Sequence, residues 1–218
     1  MLVKKWMSTK LITVNENTSM MKALRIMKDN RIRRLPVMKD EKLVGIITDR
    51  DLKEASPSKA STLDVHELYY LLSEIRVKDI MAKNPITIRP DESVEKAAVL
   101  MLEKKISGLP VVENENLVGI ITQTDIFRVL TSITGIYQGG IKIALDLPDI
   151  PGTTQAVINT IRSHGGRIMS VMTSYDVSEE GHRHVFVRTK NVEGKKLDKL
   201  LKELNKHFYV LYSVKDVI

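Results

Sequence analysis

Apolar and polar positions along the chain follow two periods, and these predict its elements. Val94, Ala97, Ala98, Met101 and Leu102 fall at i, i+3, i+4, i+7 and i+8, one face of a helix, with Ser93 placed to cap its N-terminus. Ser19 stands in the same relation to an earlier helical run. Leu35 to Met38 and Leu43 to Thr48 are compact apolar runs joined by the charged stretch Lys39 to Lys42, the signature of a strand pair. Leu11 to Val14 and Ile86 to Ile88 read as short extended segments entering each unit. Asp49 or Asp51, and the matching Asp125, open a further helix. Each unit therefore reads β-α-β-β-α.

The two units are copies. Val3-Lys4 returns as Val77-Lys78, Ile12-Thr13 as Ile86-Thr87, and Leu35-Pro36-Val37 as Leu109-Pro110-Val111. Leu43-Val44-Gly45-Ile46-Ile47-Thr48 returns as Leu117-Val118-Gly119-Ile120-Ile121-Thr122, and Asp51 as Asp125. The offset is 74 residues throughout, with 21 of 50 aligned positions identical, which marks a duplicated structural unit. Ala55-Ser56-Pro57-Ser58 breaks the chain after the first copy. Asp64 to Ile75 is expected to be a linker helix carrying Leu68, Leu71 and Leu72. Phe127 to Ile133 continues helically to Gly135, and Gly139-Gly140 marks a boundary.

Beyond that boundary the rhythm changes. Ile141 to Leu147, Ile168 to Tyr175, His182 to Thr189 and Phe208 to Val214 read as strands. Thr153 to Ser163, with Val157, Ile158 and Ile161 inward, and a second run lined by Leu197, Leu200, Leu201 and Leu204 read as helices. The order β-α-β-β-α-β is the ferredoxin-like split arrangement. The expected fold class is thus α+β/α/β, a tandem β-α-β-β-α repeat followed by a ferredoxin-like segment.

Composition narrows the function classes. Of 218 residues 43% are hydrophobic and 28% charged, too apolar for a disordered chain. With no cysteine, disulfides, thiolate metal sites and thiol catalysis are excluded. No apolar run reaches membrane-spanning length and the start lacks a signal-peptide pattern, so the expected compartment is the cytoplasm. Lys and Arg total 34 against 27 Asp and Glu, a formal net charge of +7, which permits an acidic partner without selecting one. Aromatic residues are only 5%, and Lys195, Lys196, Lys199, Lys202 and Lys206 read as a solvated helix face, so nucleic acid is not the expected partner.

The string Gly-Ile-Ile-Thr-x-x-Asp, present twice, is the most informative chemistry. A strand delivers the threonine at its end, and the aspartate follows three residues on in the first turn of the next helix. Hydroxyl and carboxylate in that arrangement suit the hydroxyls of a ribose, and the helix amides favour an anion nearby. The simpler reading is structural: threonine as N-cap and aspartate as a favourable first-turn charge. Nothing resembles a Ser-His-Asp, P-loop or nucleophile-elbow pattern. His182-x-His184 has no carboxylate spacing that completes a metal site, so neither an enzyme nor a metal is expected. Asp176, Glu179 and Glu180 read as a solvated turn.

With Leu-Pro-Val and Gly-x-x-Thr-x-x-Asp in both copies, Val3 to about Leu130 resembles the CBS domain, which pairs into a Bateman module. Ile141 to Ile218 resembles an ACT domain on its first strand and the loop Asp149, Ile150, Pro151, Gly152. The order CBS-CBS-ACT, with Ile47 to Ser58, resembles the acetoin-utilisation B protein (AcuB) family of regulators associated with acetoin catabolism. The implied domains are 1–58, 77–135 and 139–218, with 59–76 as the linker helix.

The resemblance implies an adenosine-containing ligand, AMP, ADP, ATP or S-adenosylmethionine, between the repeats, and no cofactor. Thr48, Asp51, Thr122 and Asp125 would hold ribose, and Ile12, Thr13, Ile86 and Thr87 would flank adenine. Arg33 and Arg34 stand where relatives place phosphate contacts, for which the guanidinium fork is suited. Ser107-Gly108 occupy that place in the second copy, so its phosphate contacts are weaker or borrowed. Asp149, Pro151 and Gly152 form the ACT loop. The expected protein is a non-catalytic homodimeric sensor that reports a nucleotide to an unidentified regulated protein, with the ACT segment dimerising or sensing a second effector. The alternatives are a constitutive homodimeric scaffold with vestigial sites and a basic nucleic-acid-associated regulator.

Overall fold

A computed structural model describes residues 1–55, 73–176 and 178–216. The breaker at Ser56-Pro57-Ser58 and the body of the expected linker helix, with Leu68, Leu71 and Leu72, lie outside the described residues. The chain divides into two compact units, Met1–Ile126 and Phe127–Ile218. No helix among the described residues is long and apolar enough to cross a membrane.

In the first unit the leading repeat contains β1 (Val14–Asn15), α1 (Met20–Asp29), β2 (Arg34–Lys39), β3 (Lys42–Thr48) and α2 (Asp49–Glu54). Ser19 caps α1, its side chain accepting the Lys22 N–H at 3.3 Å. Met20, Ala23 and Met27 on one face of α1 pack with Leu35, Val37 and Ile47 of the β2–β3 hairpin. The hairpin turns on Asp40 and Glu41, both at positive φ (45° and 65°), which matches the strands' twist with a two-residue turn.

The trailing repeat matches it with α3 (Val77–Ile80), β4 (Ala82–Lys83), α4 (Val94–Glu103), β5 (Gly108–Glu113), β6 (Asn116–Thr122) and the start of α5 (Gln123–Thr134). Ser93 caps α4 by accepting the Lys96 N–H at 3.1 Å. Val94, Ala97 and Met101 are buried as the helical spacing requires. Leu102, expected on that face, is instead 75% exposed. Two turns beyond Val94 it has rotated past the edge of the buried stripe.

The entering segments are shorter than expected. Leu11 to Val14 contributes only Val14 and Asn15 to a parallel pair with Val37 and Met38. Ile86 to Ile88 reduces to one bridge, Ile88 to Val111. What fills the sheets instead is an exchange of leading segments between repeats. Val3 and Lys4 donate to the carbonyls of Glu92 and Pro90, while Ser8 and Ile120 exchange backbone bonds at 2.9 and 3.0 Å. Reciprocally, Val77 and Lys78 donate to Thr18 and Glu16, and β4 pairs with Gly45 and Ile46 of β3. Each repeat therefore completes the other.

In the second unit β7 (Ile141–Pro148), α6 (Thr153–Ser163), β8 (Arg167–Ser174), β9 (His182–Lys190), α7 (Lys195–Leu204) and β10 (Tyr209–Lys215) follow in β-α-β-β-α-β order. The sheet runs β10-β7-β9-β8, every neighbour antiparallel. Ile143, Leu145, Leu147, Val185 and Val187 meet Val157, Ile161, Leu200 and Leu204 of the helices in one core. Ile158, expected inward, is only half-buried. Arg188 lies on the opposite face of the sheet with its side chain 3% exposed, paired to Asp216 at 2.7 Å. Its Nε donates to the Thr134 carbonyl at the end of α5 at 2.9 Å.

Candidate functional site

Both copies of the Thr-x-x-Asp motif fold into a strand-to-helix junction. β3 ends at Thr48, and the Asp51 Oδ2 accepts from the Thr48 N–H at 2.7 Å and from its hydroxyl at 2.8 Å. The Thr48 hydroxyl oxygen in turn faces the Asp51 N–H at 3.4 Å, completing a capping box. In the second repeat the Asp125 Oδ2 accepts from the Thr122 N–H at 2.9 Å and its hydroxyl at 2.7 Å. At Thr48 the expected cap is present, worth about 1 kcal/mol, and Asp125 stands as the expected acidic residue in the first turn of α5. The same bonding fixes each carboxylate beside a hydroxyl, on a rigid junction rather than a loop. Asp125 is 7% exposed, whereas Asp51 is half-buried.

The two arginines part company. Arg33 is exposed, its carbonyl accepting the Asp49 N–H at 2.9 Å. Arg34 extends from β2 to the other repeat, where its Nη2 donates to the Ser107 hydroxyl at 2.6 Å and its Nη1 to the Ser107 carbonyl. That carbonyl also accepts the N–H of Gln123, the first residue of α5, at 3.1 Å. Burial pushes the Arg34 guanidinium below its ordinary pKa; the charges of Asp49 and Asp125 pull it back, and Arg33 opposes them. Gly108, the repeat-mate of Arg34, makes the room: a Cβ there would stand 2.9 Å from the Arg34 Cζ.

Among the residues assigned to adenine, Ile12 packs half-buried against the first repeat's core, while Thr13, Ile86 and Thr87 are exposed. Ile86, the first residue of the second entering segment, is 38% exposed. Asp149, Pro151 and Gly152 form an exposed loop in the second unit. Arg183 ties that loop to the start of α6, its Nη1 2.9 Å from Asp149 Oδ1 and its Nη2 donating to the Thr154 hydroxyl at 3.1 Å.

Ser107, Gln123, Asp49 and Arg183 were not read as pairing partners from the sequence. For the first three the signal was present: they sit where the repeats disagree, at Arg33/Ser107 and Asp49/Gln123. Arg183 had no such signal. His182 Nδ1 lies 3.2 Å from Asp146 Oδ2, but among the described residues no group of three or more His, Asp or Glu could hold a metal ion.

Comparison with known proteins places these junctions in context. The model of the CBS domain matches residues 3–58 and 77–132, together more than half of the chain. A CBS domain-containing protein of Dictyostelium discoideum is 38% identical over 134 residues, covering 61% of this chain and 92% of its own. Relatives named as enzymes, two homoserine O-acetyltransferases and an inosine-5'-monophosphate dehydrogenase, are matched over only 22% or 23% of their own length. Among solved structures, the CBS domain pair of protein MJ0100 in complex with 5'-methylthioadenosine and S-adenosyl-L-methionine superposes with a TM-score of 0.51 at 34% identity, over 61% of this chain and 97% of that one. CBSX2 of Arabidopsis thaliana in complex with AMP gives 0.50 at 33% identity, over 61% and 97%. A putative acetoin utilization protein (AcuB) from Vibrio cholerae gives 0.53 at 26% identity, over 63% and 96%.

Proposed function

The chain belongs to the CBS-domain family, and from that premise we propose that its repeat pair is a receptor for an adenosine-containing ligand. The observation that carries this reading is the duplicated junction, which presents Asp51 and Asp125 fixed beside Thr48 and Thr122. Structures of related pairs with AMP, 5'-methylthioadenosine and S-adenosyl-L-methionine support the ligand class. In this reading the aspartates grip ribose hydroxyls, Ile12, Thr13, Ile86 and Thr87 border the base, and Arg34, with Arg33 at the rim, answers a phosphate.

The protein acts as a regulator rather than an enzyme: ligand favours one conformation, and a partner reads it. The likeness to the Vibrio AcuB protein supports a link to acetoin utilisation. The β-α-β-β-α-β unit, with strand order β10-β7-β9-β8 and the clasped Asp149–Gly152 loop, supports an ACT-type domain over 139–218, serving homodimerisation or a second effector. The working compartment in this reading is the cytoplasm.

A constitutive scaffold is the second reading, favoured by the capping box at Thr48 and the Thr122–Asp125 hydrogen bonds, which give both motifs a role without a ligand. A thermal-shift series with AMP, ATP, adenosine and S-adenosylmethionine separates the two. A ligand at about 100 times its dissociation constant adds about 2.7 kcal/mol of stability to a receptor, and none to a scaffold.

A further inference from the structure

The chain has no cysteine, so its sulfur is carried by ten methionines, and packing sorts them. Met20, Met27 and Met101 lie in the cores, none more than 3% exposed, out of reach of a dissolved oxidant. Met1 is 40% exposed at the start of the chain. Met7 and Met81 are half-buried, within reach, and both belong to the segments exchanged between the repeats.

These two are related by the same 74-residue offset as the repeats, and they occupy equivalent places. Met7 rests its sulfur on Gly119 of β6 in the other repeat, where a Cβ would stand 2.5 Å from the Sδ. Met81, just before β4, rests its sulfur on Gly45 of β3 in the same way. Both glycines are buried and neither has positive φ, so each serves by its missing side chain, admitting the thioether into a notch. The next residue after each methionine is bound to the same strand, Ser8 to Ile120 and Ala82 to Ile46. Met81 also packs against the first repeat's core. An oxygen added to either sulfur is therefore added to the atom that fills the notch, and it brings a polar group to a close-packed contact.

We propose that Met7 and Met81 are paired peroxide-sensitive latches: conversion of each thioether to the sulfoxide expels it from its glycine notch and loosens the exchanged segment from the other repeat. The Sδ lone pair attacks one oxygen of hydrogen peroxide. The S–O bond forms as the O–O bond breaks, the sulfur is oxidised by two electrons, and the leaving hydroxide takes the proton of the attacked oxygen to depart as water. β3 and β6 run on from these glycines to Thr48 and Thr122, so the slack arises three residues before each junction. The inference is independent of any ligand at those junctions.

Peroxide treatment of the full chain tests it, with peptide mass mapping and urea melts followed by circular dichroism and Trp6 fluorescence. Met7 and Met81 should convert along with Met1, and the unfolding constant at fixed urea should rise at least about fivefold. Methionine sulfoxide reductases A and B together should restore the original midpoint. Met7→Leu/Met81→Leu conserves volume without the sulfur, so its untreated midpoint should stay near wild type and its peroxide-induced shift should be less than about half as large. The two single variants should fall between, and with the reductase reversal they carry the test if the double variant does not fold. Three results overturn the inference: Met7 or Met81 left unconverted when Met1 is fully converted, both converted with an unchanged midpoint, or leucine variants that lose as much stability to peroxide as the wild type.

Discussion

Gly119→Ala tests whether the repeats are interlocked through their exchanged leading segments. Gly119 is in β6, where the segment carrying Met7 and Ser8 crosses it; a Cβ there would stand 2.5 Å from the Met7 Sδ and 3.1 Å from the Ser8 carbonyl oxygen. The Met7 sulfur can swing aside, but the carbonyl is held by the Ser8–Ile120 backbone bonds. Overpacking of this kind costs about 1–3 kcal/mol. The glycine has no positive φ, so alanine also restricts the unfolded chain, returning about 0.4–1 kcal/mol. The net expectation is destabilisation of the first unit by about 1 kcal/mol. Trp6, the single tryptophan, adjoins Met7 and makes its fluorescence a local probe in urea titrations. Met7→Ala in the Gly119→Ala background should cost less than Met7→Ala alone, a coupling of at least about 0.5 kcal/mol. A Gly119→Ala protein as stable as wild type, or strictly additive variants, would refute the interlock.

Arg188→Met leaves Asp216 without its buried partner and the Thr134 carbonyl with the Ser170 hydroxyl as its remaining side-chain donor, so thermal or urea melts should show the second unit losing about 3 kcal/mol. A loss under about 1 kcal/mol would mean that Arg188 is not a structural ion pair. Glu115 sits at φ 66° in the second hairpin turn, so Glu115→Gly, which gives the favoured Asn-Gly pair, should raise the urea midpoint by up to about 1 kcal/mol of stability; a lowered midpoint contradicts the turn assignment. Glu92 is held below its ordinary pKa of 4.5, first by the Arg89 N–H and then by Lys96. A depressed folded-state pKa stabilises above 4.5 and is lost as pH falls through the folded value, so Glu92→Gln should destabilise at neutral pH and converge with wild type in acid. An equal deficit at both ends would assign the loss to packing.

Much of this architecture is legible in the residues because it is local. The hairpins at Leu35–Thr48 and Leu109–Thr122, the caps at Ser19 and Ser93, and helix α6 follow from apolar periodicity and turn chemistry within a few positions. The exchange of Val3–Ser8 and Val77–Lys83 between repeats is not legible, because it pairs residues far apart in sequence and leaves no period behind. The same holds for the entering strands: Leu11 to Val14 has extended character, but only Val14 and Asn15 find a neighbour. Arg34 is instructive in another way. Its residue type suggested anion recognition, yet its reach into the other repeat depends on an absent side chain at Gly108, visible only when the repeats are compared position by position.

The most direct test of the receptor reading is titration calorimetry of the intact protein with adenosine, AMP and S-adenosylmethionine, repeated on the Asp51→Ala/Asp125→Ala double variant after circular dichroism confirms that it folds. Each replacement of an aspartate by alanine removes charge-assisted hydrogen bonds worth about 1.5–3 kcal/mol, so the saturable binding seen with the wild type should weaken by about tenfold to 150-fold at each site. Saturable heats that persist unchanged in the double variant, or no heat from any of the three compounds with the wild type, would contradict it.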